Sequence, residues 1–120
     1  MSKILVVEDD DTNIQILSRL LTMKGYEHVV ARNRRDAVNL AAAELPDLIL
    51  MDIQLPGLDG YEATRQIKAN PELEKTPVIA VTSYALSGDD KKAFAAGCDG
   101  YVTKPFSPRE LLQKIREYLD

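Results

Sequence analysis

The chain has 120 residues, 45% hydrophobic and 28% charged, which suits one packed core and is too apolar for a disordered chain. Fifteen Lys and Arg against 19 Asp and Glu leave a net charge of −4, which argues against a free-standing nucleic-acid binder. A single cysteine, Cys98, excludes an intramolecular disulfide and a Cys-rich zinc site. No apolar run approaches the ~18 residues of a membrane span, and Met1-Ser2-Lys3 leads into a strand-like run without a signal peptide. The expectation is a single domain, residues 1–120, in the reducing cytoplasm, without membrane or direct nucleic-acid contacts.

The first element is Ile4-Leu5-Val6-Val7, a continuously apolar run that predicts a strand buried on both faces. It ends in four acids, Glu8 to Asp11. Ile14, Leu17, Leu21 and Lys24 then follow helical spacing, with Gly25 as the stop. His28-Val29-Val30-Ala31 predicts a second strand. Asn33 is the N-cap of a second helix, Asp36 lies in its acidic first turn, and Ala37, Leu40 and Ala41 form its buried face. The third strand, Leu48-Ile49-Leu50-Met51, runs into Asp52. A third helix from Gly60 to Ala69 buries Ala63 and Ile67 and ends at Asn70-Pro71.

Val78-Ile79-Ala80-Val81 is the fourth strand and runs into Thr82-Ser83. A fourth, Ala-rich helix from Asp89 to Ala96 stops at Gly97. Tyr101-Val102-Thr103 is the fifth strand, followed by Lys104-Pro105. The last helix has Ser107 as N-cap, Pro108 at its first position, Glu110 completing a capping box, and a stripe of Leu112, Ile115 and Leu119. This order predicts a flavodoxin-like (βα)5 α/β fold, a doubly wound sheet of five parallel strands in order 2-1-3-4-5.

In such a sheet ligands bind at the carboxyl ends of the strands, beside the switch point between the first and third. That brings Glu8, Asp9 and Asp52 together. Like charges at close range are costly and call for a cation, and an all-oxygen donor set suits Mg²⁺, with Mn²⁺ able to substitute. Asp10 or Asp11 serves to cap the following helix. The first loop, Glu8 to Asn13, lacks glycine and is acidic, so it repels the phosphate of a flavin or nucleotide cofactor. Thr82 brings a hydroxyl and Lys104 an ammonium to the same cleft. A carboxylate beside a metal, a hydroxyl donor and a lysine is equipped to attack phosphorus, with Asp52 as the nucleophile.

These runs, with Asp47 to Gly60 and Gly100 to Phe106, resemble the receiver domain of two-component response regulators over essentially the whole chain. The resemblance implies phosphotransfer to Asp52 from a sensor histidine kinase or a histidine phosphotransfer protein. It implies Glu8 and Asp9 as the acidic pair, Asp9 touching the metal directly and Glu8 through water, and the backbone carbonyl of Gln54 as a further ligand. It also implies Thr82 and Tyr101 as a switch pair, Lys104 on the phosphoryl group and a cis Lys104-Pro105 bond.

Phosphorylation would draw Thr82 inward and Tyr101 from exposed to buried, reshaping the surface of the fourth helix, fifth strand and fifth helix. Gln54 and Tyr84 are bulky at positions that tune phosphoryl lifetime in the family, so slow self-dephosphorylation is expected. Ser83 is small and leaves the site open to a donor. With no output domain after Asp120, output is expected through contacts with a downstream protein at Ala85, Leu86, Lys92, Tyr101, Phe106 and Arg109, as a monomer or a phosphorylation-dependent homodimer. Cys98 and His28 need no function, and Arg34-Arg35 reads as a solvated helix start.

Two other readings compete. A phosphohydrolase of the haloacid-dehalogenase type would need a second Asp where Gln54 stands, so the chain is not expected to be an enzyme beyond assisting its own Mg²⁺-dependent phosphorylation and dephosphorylation. A pseudo-receiver would bind its partner without phosphorylation, and the intact set Asp9, Asp52, Thr82 and Lys104 argues against it.

Overall fold

The computed structural model describes residues 2–52, 60–82, 95–103 and 106–119, with Thr82 described through its backbone alone. Along the chain these form β1 (Lys3–Val7), α1 (Asp11–Met23), β2 (Glu27–Ala31), α2 (Arg34–Glu44), β3 (Leu48–Asp52), α3 (Gly60–Lys68), β4 (Val78–Thr82), β5 (Gly100–Thr103) and a C-terminal helix (Pro108–Leu119). The expected fourth helix lies outside the described residues up to Ala95 and Ala96, which are helical. All strand pairs are parallel, in the order β2-β1-β3-β4-β5. This is the doubly wound arrangement expected from the strand and helix order.

Alternation along the strands divides the core. Leu5, Val7, Ile49, Met51, Val78 and Ala80 pack on one face with Ala37 and Ala41 of α2 and Ala63 and Ile67 of α3. Ile4, Val6, Leu48, Leu50 and Ile79 pack on the other with Leu17 and Leu21 of α1 and Leu111 and Ile115 of the C-terminal helix. Both faces of the central strands are therefore covered, which is why they read as unbroken apolar runs. All five residues of β3 are buried.

The helix ends follow side-chain chemistry. Asp10 caps α1 by accepting from the Asn13 backbone N–H at 3.1 Å, and Asn33 caps α2 by accepting from Asp36 N–H at 2.8 Å. Ser107 Oγ accepts from Glu110 N–H at 3.1 Å and caps the C-terminal helix. Gly25 follows α1 with φ +81°, the left-handed conformation that stops a helix. α2 stops the same way at Leu45, φ +47°, a position that glycine occupies more easily.

The amino-terminal edge of the sheet is tied by Asp99. Its Oδ2 accepts from Lys68 Nζ and from Val78 N–H, both at 2.9 Å. Its carbonyl accepts from Tyr118 Oη at 2.7 Å, joining α3, β4, β5 and the C-terminal helix. Tyr118 crosses Gly100 so closely that a Cβ there would meet Oη at 2.8 Å. Gly100→Ala should therefore destabilise the protein by about 1–2 kcal/mol in urea unfolding, the range for overpacking, and most of that loss should vanish in a Tyr118→Ala background.

Cys98 is 5% exposed, and burial pushes its thiol from 9.0 up to about 11 despite the Thr64 hydroxyl 3.8 Å away. At pH 8 its thiolate fraction should be roughly 100-fold below that of a free thiol, so thiol reagents should label it only on unfolding. Because the folded protein holds this proton more tightly, the contribution to stability is complete below pH 9.0 and declines from there through about pH 11. Urea unfolding of wild type and Cys98→Ala across that window should show the decline easing in the variant.

Candidate phosphoacceptor and cation site

The switch point of the sheet lies between β1 and β3, which are adjacent with Val7 level with Met51. The next residue on each side is an acid, Glu8 and Asp52, and each is only 3% exposed. Both line one cavity of about 530 Å³ at the carboxyl ends of these strands. Its remaining wall is mainly apolar, with Ile16 and Leu17 from α1, Leu50 and Val81 from the sheet, and Phe106 and Leu111. The backbone holds Glu8 in place, its N–H donating to the Ala31 carbonyl at 2.9 Å. Its Oε1 accepts from Asp10 N–H at 3.3 Å and from Asn13 Nδ2 at 3.4 Å. Asn13 also lines the cavity.

The four acids from Glu8 to Asp11 are not equivalent. Glu8 faces the cavity, whereas Asp9 is exposed and does not line it. Asp10 is the helix cap, and Asp11 is exposed and paired with Arg32 at 2.6 Å. The structure thus brings Glu8 and Asp52 together and leaves Asp9 in solvent. Among the described residues, no group of three or more His, Cys, Asp and Glu side chains is arranged to hold a metal by itself. The donor set nonetheless fits a small hard divalent cation. Two carboxylates have been removed from water at neighbouring strand ends, a third is one residue away, and all offer oxygen alone.

Other expected site residues sit as follows. Asp52 is level with Val81, and Thr82, the next residue of β4, is level with Thr103. Tyr101 is half-buried on the edge strand β5, level with Ala80 and packed against the cluster containing Met51. Phe106 is half-buried against the opposite cluster, and Arg109, Arg34 and Arg35 are exposed. Gln54, Ser83, Tyr84, Ala85, Leu86, Lys92, Lys104 and Pro105 lie outside the described residues.

Two contributors carried no sequence signal of their own. Asn13 is an ordinary first-turn helix residue until its amide is seen 3.4 Å from Glu8. Its position three residues after the cap is the only available hint. Arg32 lies 23 residues from the carbonyl it contacts.

The model of the response regulator receiver domain family matches residues 4–116. The polar-differentiation response regulator DivK of Brucella anthropi is 41% identical over 116 residues, 97% of this chain and 94% of that one. The chemotaxis protein CheY4 of Vibrio cholerae superposes with a TM-score of 0.94 at 28% identity, covering 99% of both chains. The receiver domain of the sensor histidine kinase PA1611 of Pseudomonas aeruginosa superposes with a TM-score of 0.90 at 38% identity, covering 98% of this chain and 96% of that one. That structure carries a magnesium ion coordinated in its active site cleft.

Proposed function

The chain belongs to the response regulator receiver domain family, and we propose that it takes a phosphoryl group onto Asp52 from a phosphohistidine of a sensor kinase or phosphotransfer protein. The observation that carries this reading is the buried Asp52 carboxylate ending β3, beside buried Glu8 on one cavity at the switch point.

In the proposed reaction an oxygen of Asp52 attacks the donor phosphorus. A P–O bond to Asp52 forms as the P–N bond to the donor imidazole breaks, and the imidazole leaves with the bonding pair. Dephosphorylation reverses the roles, with water attacking phosphorus and the Asp52 carboxylate leaving. Glu8, Asp9, Asp52 and the Gln54 carbonyl would hold Mg²⁺ or Mn²⁺, which when bound neutralises charge on the phosphoryl oxygens. The chain's own groups do the rest. The hydrogen bonds from Asp10 N–H and Asn13 orient Glu8, and burial of β3 fixes the direction of Asp52. Lys104 and Thr82 donate to the phosphoryl oxygens.

Receiver domains signal by interacting with histidine kinases and downstream targets, and the proposed output here is a change of the surface around β5 and the C-terminal helix. Two placements support it. Thr82 and Thr103 are paired across β4 and β5, and Tyr101, two residues before Thr103, rests on the core cluster that also holds Met51 and Ala80. Movement of Thr82 toward a phosphoryl group would open room beside Tyr101. No described helix is long and apolar enough to cross a membrane, and the proposed place of action is the cytoplasm.

Intact-protein mass after incubation with Mg²⁺ and acetyl phosphate tests the acceptor. One added phosphoryl group is expected on wild type, and none with a chelator or in Asp52→Asn. An unmodified wild type, both here and with a panel of phosphorylated kinases, would reject phosphotransfer and favour a phosphate-independent binding module. The bulk of Tyr84 is proposed to shield the acyl phosphate. Tyr84→Ala should shorten its half-life severalfold, read as loss of the mass adduct with time, and an unchanged half-life would remove Tyr84 from that role.

A further inference from the structure

Arg32 is the first residue after β2, and its guanidinium reaches back to the loop that follows β1. Nη1 donates to the Asp9 carbonyl at 3.3 Å, and Nη2 donates to Asp11 Oδ1 at 2.6 Å. One residue earlier on each segment, Glu8 N–H donates to the Ala31 carbonyl at 2.9 Å. The peptides of Glu8 and Asp9 are thus tied in succession to the end of β2, first by the main chain and then by a side chain.

We propose that Arg32 is a positioning residue for the cation site. Its two-pronged contact fixes the Asp9 peptide and hence the Glu8 and Asp9 side chains. It also engages Asp11, so that this acid does not compete for the ion. The inference rests on the reading of Glu8, Asp9 and Asp52 as Mg²⁺ ligands.

Stability does not explain the contact. The Arg32 and Asp11 side chains are 53% and 77% exposed, and ion pairs in that setting contribute little to folding. Simple electrostatics predicts the opposite of positioning. A positive charge near a cation site repels the ion, so its removal should tighten Mg²⁺ binding, by about twofold or less at physiological salt. Loss of a group that orients metal ligands loosens binding instead. The sign of the change therefore separates the two. Lysine keeps the charge but lacks the planar fork that spans a carbonyl and a carboxylate at once.

The measurement is Mg²⁺ affinity of the unphosphorylated full chain, from ¹H–¹⁵N NMR titration with MgCl₂. Wild type, Arg32→Ala, Arg32→Lys and Asp52→Asn are compared, with urea unfolding of each. The expected result is binding about three- to tenfold weaker in Arg32→Ala, clearly weaker in Arg32→Lys, and little change in unfolding midpoint for either. Wild-type or tighter affinity in Arg32→Ala overturns the proposal, and so does full affinity in Arg32→Lys. If wild type fails to bind Mg²⁺, or Asp52→Asn binds it unchanged, the assignment of the cation site itself falls.

Discussion

An acid closes a strand that is otherwise entirely apolar and entirely buried, and the rest of the site depends on that placement. Leu48 to Met51 are removed from water by helices on both faces of the sheet. Asp52 continues the same strand and is buried with it, at the cavity where the strand ends. The parallel pairing of β1 with β3 then sets Glu8 at the neighbouring strand end. Apolar burial on two faces, the dominant favourable term in folding, holds the two acids at neighbouring strand ends.

The strands were legible because burial on both faces leaves an unbroken apolar signature, and the strand order followed from alternation with helices and a right-handed crossover rule. The readings stopped one residue short at polar ends. Lys3, Glu27, Asp52 and Thr82 belong to strands because ladder bonding ignores side-chain polarity. Caps at Asn33 and Ser107 were legible because a short polar side chain before a helix has one favoured use. Leu111 was missed beside Leu112 because a single stripe at three-to-four spacing is narrower than the face that the C-terminal helix buries.

For the site, strand-end logic found Glu8 and Asp52 but could not divide labour among four consecutive acids. Whether Asp10 or Asp11 caps α1 depends on local backbone angles, and the structure gives the cap to Asp10. Asn13 and Arg32 act through the reach of a side chain across a gap between elements. No periodicity or composition encodes that reach. Thr82 was legible as a hydroxyl at a strand end, whereas its pairing with Tyr101 entered through family resemblance, and what the fold adds is the register of β4 with β5 and the packing of Tyr101 on the core.

The position of β1 in the middle of the sheet has a consequence for biosynthesis. Of the strands in this sheet, the first to be translated is a core strand, flanked in the finished fold by β2 and β3. Until those strands have been made, Ile4-Leu5-Val6-Val7 presents two bare edges and two apolar faces, the pattern that invites pairing with another chain. Its second neighbour, β3, is complete only at Asp52. The nascent chain must therefore shelter this segment until synthesis has passed Asp52, and the acids that follow Val7 serve as gatekeepers by keeping like copies apart.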